Sequence, residues 1–176
     1  MGVNQQPLIV GTFGAPYGVR GWLKVHAMTE NRYDMIKYQP WLVQRQGSWS
    51  PILLADWKQP DKNLLVKLAG IDDRDSAQSM VSSTIAIDAT QLPPLPDGEY
   101  YWCQLIGCQV VNTANYRLGI VTQLLETGAN DVLVVKATAN DIYSKSERLL
   151  PWIEPRVIQQ VDLANRLLTV DWDPEF

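Results

Sequence analysis

Short apolar runs, some alternating and some continuous, are cut at close intervals by turn-forming residues along the whole chain. Leu8-Ile9-Val10 is apolar and rich in β-branched residues, which predicts a strand. Trp22-Leu23-Lys24-Val25-His26-Ala27 alternates as a half-buried strand does. Trp41–Gln44, Ile52–Trp57, Leu64–Leu68 and Thr84–Ile87 continue the series, with turns at Gln46-Gly47-Ser48 and Pro60-Asp61-Lys62-Asn63. Ile71–Met80 breaks the pattern. Acids crowd its start, as helix N-termini prefer, and predict one short helix from about Arg74.

After residue 100 the strand pattern resumes at Cys108–Val111, then Leu118–Leu125 (a strand that can bend midway) and Val132–Val135. Residues 137–146 are polar and loop-like. Arg148–Trp152 is a short strand stopped by a proline, and Val157–Asp162 with Leu167–Val170 forms a final hairpin around Leu163–Arg166. Between the two series lies Leu92-Pro93-Pro94-Leu95-Pro96, where prolines hold the chain extended and withhold backbone donors. The fold class expected is mainly all-β. Two small β-barrels, residues 1–91 and 99–176, are joined by a proline-rich linker at 92–98, with one short helix in the first barrel.

Two stretches stand apart from the strand pattern. Gly11–Gly21 packs four glycines and a proline into one segment, read as a loop that permits close backbone approach. No Gly-Lys-Ser/Thr follows, so it is not a phosphate-binding loop of the nucleotide-hydrolase kind. Arg20 in that loop, with Lys24 nearby, is suited to phosphate contact. The second stretch is Tyr100-Tyr101-Trp102. Three adjacent side chains cannot all face one core, so at least one ring lies at or near the surface. An interface is one reading, and a seam between domains or a helix turn with one half-exposed ring is the other. Tyrosine and tryptophan bury large area at low entropic cost, which marks the trio as a protein-binding candidate.

Charge sharpens this division. The net charge is −4, yet residues 1–70 hold eight Lys/Arg against four acids (+4) and residues 93–176 hold six against eleven (−5). The first part is suited to a polyanion such as RNA, and the second, with Asp97 and Glu99 beside the aromatics, to a basic protein. Chance differences between solvated faces are the plainer alternative.

Reactive chemistry is sparse. His26 is the only histidine and sits in an alternating strand, without a motif that ties it to a nucleophile. Cys103 and Cys108 have neither zinc-site nor redox spacing and read as buried thiols. Asp171-Trp172-Asp173 is a poor cation site. Neither a metal nor a cofactor is expected, and the chain is not expected to be an enzyme. No apolar run is long enough to span a bilayer, the start lacks a signal-peptide pattern, and Gln6 stands where a myristoylation signal wants Ser or Thr. The expected location is the cytoplasm, with no membrane partner.

Several motifs, in order, resemble one family. They are Tyr17-Gly18-Val19-Arg20-Gly21-Trp22-Leu23-Lys24-Val25, Gly70–Asp75, Glu99-Tyr100-Tyr101-Trp102 with Leu105-Ile106-Gly107, Thr127–Leu133, and the closing Val161-Asp162 and Val170–Asp173. Together they resemble the RimM family of ribosome maturation factors over nearly the whole chain. The resemblance implies a translation-factor-type N-terminal barrel, a PRC-type C-terminal barrel and a non-enzymatic, monomeric factor. It implies a chaperone role in maturation of the 30S subunit head and in 16S rRNA processing, with the 30S precursor as partner. It also implies that the C-terminal barrel binds ribosomal protein uS19 through Tyr100 and Tyr101, which, with the charge division, favours exposed tyrosines with one ring part-buried as an anchor and Trp102 in the core or the seam between domains. Gly18, Arg20 and Gly21 match the family's glycine-loop motif and, with Lys24, are the candidate ribosome or RNA contacts. Many relatives carry His at the position of Tyr17 and Asp at that of Gln104, so this chain departs at both.

Overall fold

A computed structural model describes residues 7–31, 34–60 and 63–176 and divides the chain into two units, Met1–Asp97 and Gly98–Phe176. Met1–Gln6 and the centre of the turn expected at 60–63 lie outside the described residues. Both units are β-rich, as the sequence pattern predicts.

The first unit runs β1 (Pro7–Tyr17), β2 (Trp22–Ala27), α1 (Asp34–Lys37), β3 (Trp41–Arg45), β4 (Ser48–Ile52), β5 (Leu54–Lys58), β6 (Leu64–Leu68), α2 (Arg74–Gln78) and β7 (Thr84–Asp88). The strands form a seven-stranded sheet in the order β4-β3-β7-β1-β2-β6-β5. Laid flat, seven strands would hold their edges roughly 29 Å apart. The edge strands β4 and β5 are joined by Leu53 alone, and one intervening residue spans at most about 7 Å. The sheet must therefore curl round on itself. The uninterrupted strand expected over Ile52–Trp57 is corrected here: it is two strands, broken at Leu53, because the chain turns a corner. The turn before β4 is also tighter than expected. Gln46 (φ 52°) and Gly47 (φ 80°) alone make it, both left-handed as a two-residue hairpin requires, and Ser48 already belongs to the strand.

The alternation of β2 decides what the curled sheet encloses. Leu23 and Val25 point inward and pair with Val66 and Leu64, while Trp22 and Lys24 lie on the outer face. At the centre Phe13 and Trp41 are buried with ring centroids 6.2 Å apart, and Trp41 Nε1 donates to the Met35 carbonyl at 2.8 Å. That bond gives the indole N–H a partner and fixes α1 against the core. The helix expected from Arg74 is α2. Asp73 caps it by accepting from Ser76 N at 2.7 Å, and the Ser76 backbone and hydroxyl hold the Asp73 carboxyl below its ordinary pKa.

The second unit runs α3 (Trp102–Leu105), β8 (Gln109–Asn112), β9 (Arg117–Glu126), β10 (Asp131–Lys136), β11 (Glu147–Pro151), β12 (Ile158–Asp162) and β13 (Leu167–Val170). Its six-stranded sheet has the order β11-β10-β9-β8-β13-β12, antiparallel except for the β13–β8 pair. Residues 152–157 join the two edges. That connection folds back so that Val157 N and Ile158 N both donate to the Ile153 carbonyl, at 2.8 and 2.9 Å. The bend expected within Leu118–Leu125 is a bulge at Thr122, where β9 slips one residue against Val134 and Val135. Two short helices go beyond the one expected, α1 in the first unit and α3 in the second.

The second unit's core contains Leu105, Cys108, Val110, Leu118, Leu133, Leu150 and Leu168. It also encloses a charge. The Arg148 side chain is fully buried, with Nη2 2.9 and 3.1 Å from the two Asp141 oxygens, Nη1 donating to the Leu118 carbonyl at 3.0 Å and Nε to the Pro174 carbonyl at 3.0 Å. Tyr116 OH and Lys145 N donate to Asp141 as well. One pair thus ties the 137–146 loop and the C-terminal tail to the barrel. Burial alone would raise the Asp141 pKa, but the Lys145, Arg148 and Tyr116 hydrogen bonds outweigh it and lower the value from 3.8 to about 2.

Removing one partner of a buried pair strands the other charge. Asp141→Asn is expected to cost about 3–5 kcal/mol at neutral pH. In the wild-type chain the unfolded carboxyl takes its proton near 3.8 and the folded one only near 2. The contribution is therefore complete above the first value and lost as pH falls through the second. Asp141→Asn should show a shallower loss of stability across that window, read by denaturant unfolding at a series of pH values.

Candidate functional site

In the first unit the candidate residues cluster at the β1–β2 hairpin. The glycine-rich stretch is not a loop along its whole length: β1 continues to Tyr17, and only residues 18–21 form the turn. Gly11 and Gly14 lie inside the strand, at Gly11 because backbone excludes a side chain and at Gly14 beside the His26 imidazole. A Cβ at Gly11 would approach the His26 carbonyl oxygen to 2.6 Å, and one at Gly14 the His26 Nε2 to 2.6 Å. His26 itself is exposed on β2.

The turn is held from outside. Arg74 Nη1 donates to the Gly18 carbonyl at 2.8 Å, and Gly21, at φ 95°, packs against the Ile71 carbonyl so closely that a Cβ would overlap it. The Gly70–Asp75 motif is thus the support of the hairpin. Lys67 completes the support by bonding the Ile71 carbonyl at 2.7 Å and Asp72 Oδ1 at 2.6 Å. Gly18 and Arg20 are exposed at the tip, Gly21 is buried, and Lys24 is half-buried on the outer face of β2.

In the second unit Tyr100, Tyr101 and Trp102 are all half-buried. The segment enters α3 at Trp102, where the Gln104 side chain accepts from Tyr101 N at 3.0 Å. Gln104, where many relatives carry Asp, therefore still closes the helix start. Tyr100 is the anchored ring. It packs on the core cluster and meets Trp152 edge-to-face at 6.0 Å. Trp102 also packs on that core, and its Nε1 donates to Asp131 Oδ2 at 3.1 Å. Asp131 closes the Thr127–Asp131 motif, and its backbone carbonyl accepts from Trp152 N at 2.8 Å.

Two motifs far apart in sequence are thereby joined around a cleft of about 320 Å³ lined by Glu126, Thr127, Gly128, Ala129, Asn130, Asp131 and Trp152. Trp152 Nε1 donates to Glu154 Oε1 at 3.1 Å, so a third carboxylate stands beside the aromatic wall. The cleft lining carries two acids and no cation. Such a surface accepts ammonium or guanidinium groups. Sequence reasoning missed Trp152, which reads only as the residue that ends a strand. Cys103 and Cys108 are buried and not joined in a disulfide, and burial raises the Cys108 pKa.

The RimM N-terminal domain pattern matches residues 8–92 and the RimM PRC barrel domain pattern residues 102–176. The chain is 48% identical over 172 residues to the ribosome maturation factor RimM of Serratia proteamaculans, covering 98% of this chain and 94% of that one. The chain belongs to the RimM family of ribosome maturation factors. The RimM of Citrobacter koseri is 47% identical, covering 97% and 94% of the two chains. A crystal structure of a 16S ribosomal RNA processing protein RimM from Pseudomonas aeruginosa is 36% identical, covers 97% of this chain and all of its own, and has a TM-score of 0.48. The RimM motifs at 17–25 and 70–75 meet in the first unit, and those at 99–107 and 127–133 meet in the second.

The two hairpin glycines should respond differently to a side chain. Gly18 has φ 73° with open space around it, so Gly18→Ala should cost only the left-handed backbone penalty, about 1 kcal/mol. Gly21→Ala adds a clash with backbone and should destabilise by clearly more, read as a larger drop in thermal midpoint.

Proposed function

We infer that this chain is a non-enzymatic ribosome assembly factor. It assists maturation of the 30S subunit head and processing of 16S rRNA, and it binds the basic ribosomal protein uS19 through its C-terminal unit. The observation that carries the reading is the acidic, aromatic-walled cleft beside Tyr100, in which Asp131, Glu126 and Trp152 line the space and Trp102 holds Asp131 in place. Aromatic anchors beside unopposed carboxylates suit a partner rich in lysine and arginine. Tyr100, Tyr101 and Trp102 form the protein-binding set, with Trp102 acting through Asp131 rather than by direct contact.

The N-terminal unit meets the rRNA of the subunit precursor through the β1–β2 hairpin, where Arg20 at the tip and Lys24 on the outer face of β2 take phosphates and the exposed Gly18 allows close approach; Gly21, buried against the Ile71 carbonyl, shapes the turn instead of touching RNA. Residues 92–98 serve as the linker between an RNA-side barrel, 1–91, and a protein-side barrel, 99–176. The protein works in the cytoplasm as a monomer without a cofactor. No described helix is long and apolar enough to cross a membrane.

Both halves of the reading are open to direct tests. Tyr100→Ala/Tyr101→Ala is expected to weaken capture of purified uS19 by about tenfold or more, as loss of central aromatic anchors does. Equal capture by a folded double variant would remove the tyrosines from the site. Arg20→Glu with Lys24→Glu should lower co-sedimentation with immature small subunits and flatten its salt dependence, leaving uS19 capture unchanged. Sedimentation identical to wild type would overturn the N-terminal assignment.

A further inference from the structure

Beside the hairpin tip, the outer face of the first unit joins two rings of the 17–25 motif to Lys58, which lies outside every motif. Tyr17 and Trp22 are cross-strand partners at the end of the β1–β2 pair, and both present their rings on this face. Lys58 reaches over from β5, placing its ammonium 4.6 Å from the Trp22 ring centroid and 5.7 Å from that of Tyr17. Lys24, Leu65 and Lys58 stand in register across β2, β6 and β5, so the two lysines share one face.

Asp72 pairs with Lys67 at 2.6 Å, and Asp56 accepts a backbone N–H from Trp57 at 2.8 Å without a cation partner among the described residues. Arg20, Lys24 and Lys58 have no carboxylate partner among the described residues. Cations without such a partner, Lys58 among them lying over two aromatic rings, match an anionic chain that also presents flat apolar rings. A basic protein would be repelled here, and an acidic peptide would leave the rings unused.

We propose that this face binds an unpaired stretch of RNA, with Tyr17 stacking on a base while Lys58, Lys24 and Arg20 take the flanking phosphates. Tyr17 is suited to the stacking role because it is 49% exposed and lies farther from the lysine than Trp22 does. Trp22 forms the floor. A cation resting on a ring at an exposed site is weakly held, so Lys58 is free to exchange that contact for a phosphate. The inference rests on the reading that the N-terminal unit meets RNA and adds what kind of RNA and which residues.

The test uses the full chain and a short, unstructured, adenosine-rich RNA oligonucleotide, with binding followed by fluorescence anisotropy across a salt series. Tyr17→Ala should weaken binding about tenfold without changing the salt slope, since it removes stacking and no charge. Lys58→Gln should lower the slope of log affinity against log salt by about 0.7, the signature of one lost phosphate contact on a single strand. Circular dichroism melts confirm that both variants fold. A Tyr17→Ala chain that binds like wild type, or a duplex of the same sequence bound as tightly as the single strand, would overturn the proposal. So would wild-type chain that ignores the oligonucleotide yet still sediments with immature subunits through Arg20 and Lys24. That last result would leave the broader RNA reading standing.

Discussion

Curling each sheet round its own apolar face is the constraint on which the rest of each unit depends. A sheet with one apolar face has nothing to pack against unless it wraps itself. In the first unit the wrap is enforced by a connection of one residue, Leu53, between the two edge strands. In the second it is enforced by a six-residue connection, 152–157, folded onto the Ile153 carbonyl. These closing segments also assemble the surfaces. β5, which starts directly after Leu53, carries Lys58 to the Trp22 ring. The second connection begins with Trp152, which it sets against Tyr100 and Asp131. Closure and site formation are one event in each unit, so a variant that opens a barrel should lose its surface at the same time.

The two units satisfy their interiors by different chemistry. The first is apolar at its centre, with the one indole N–H of Trp41 given to the Met35 carbonyl. The second encloses Arg148 and supplies acceptors from Asp141, Leu118 and Pro174. A buried ion pair is weak evidence for net stability, because apolar residues of the same volume often do as well. Its effect here is positional. The guanidinium has fixed donor directions, and they are matched by Asp141 in the loop, Leu118 in β9 and Pro174 in the tail, so the pair sets where the loop and the tail lie.

Much of this was legible in the sequence because sheets with one buried face advertise themselves by alternation. Trp22–Ala27 reads inward and outward residue by residue, and the acids before Arg74 announce a capped helix. The failures have physical causes. Ile52–Trp57 reads as one strand because a sharp corner costs a single residue and leaves no proline or glycine behind. Gly11 reads as loop because glycine signals both a flexible turn and a place where a neighbouring strand's backbone comes too close for a Cβ, and composition cannot tell these apart. Tyr100–Trp102 stood out as a cluster of rings. Trp152 did not, since its meaning lies in a contact 52 positions away that only barrel closure creates. Lys58 was invisible for the same reason.

Net charge is a poor guide to partners for such a molecule. Electrostatic influence between exposed charges fades over about 8–10 Å at physiological salt, so a ligand responds to the groups around its own site. A total of −4 includes acids already engaged within the fold, such as Asp73 on α2, Asp141 on Arg148 and Asp72 on Lys67. What remains around the β1–β2 hairpin is Arg20, Lys24 and Lys58, without carboxylate partners among the described residues. What lines the second unit's cleft is Glu126 and Asp131 without a cation. Pairing inside the fold, more than composition, determines which charges a partner meets, and that allows one acidic chain to offer a cationic aromatic face and an anionic aromatic cleft.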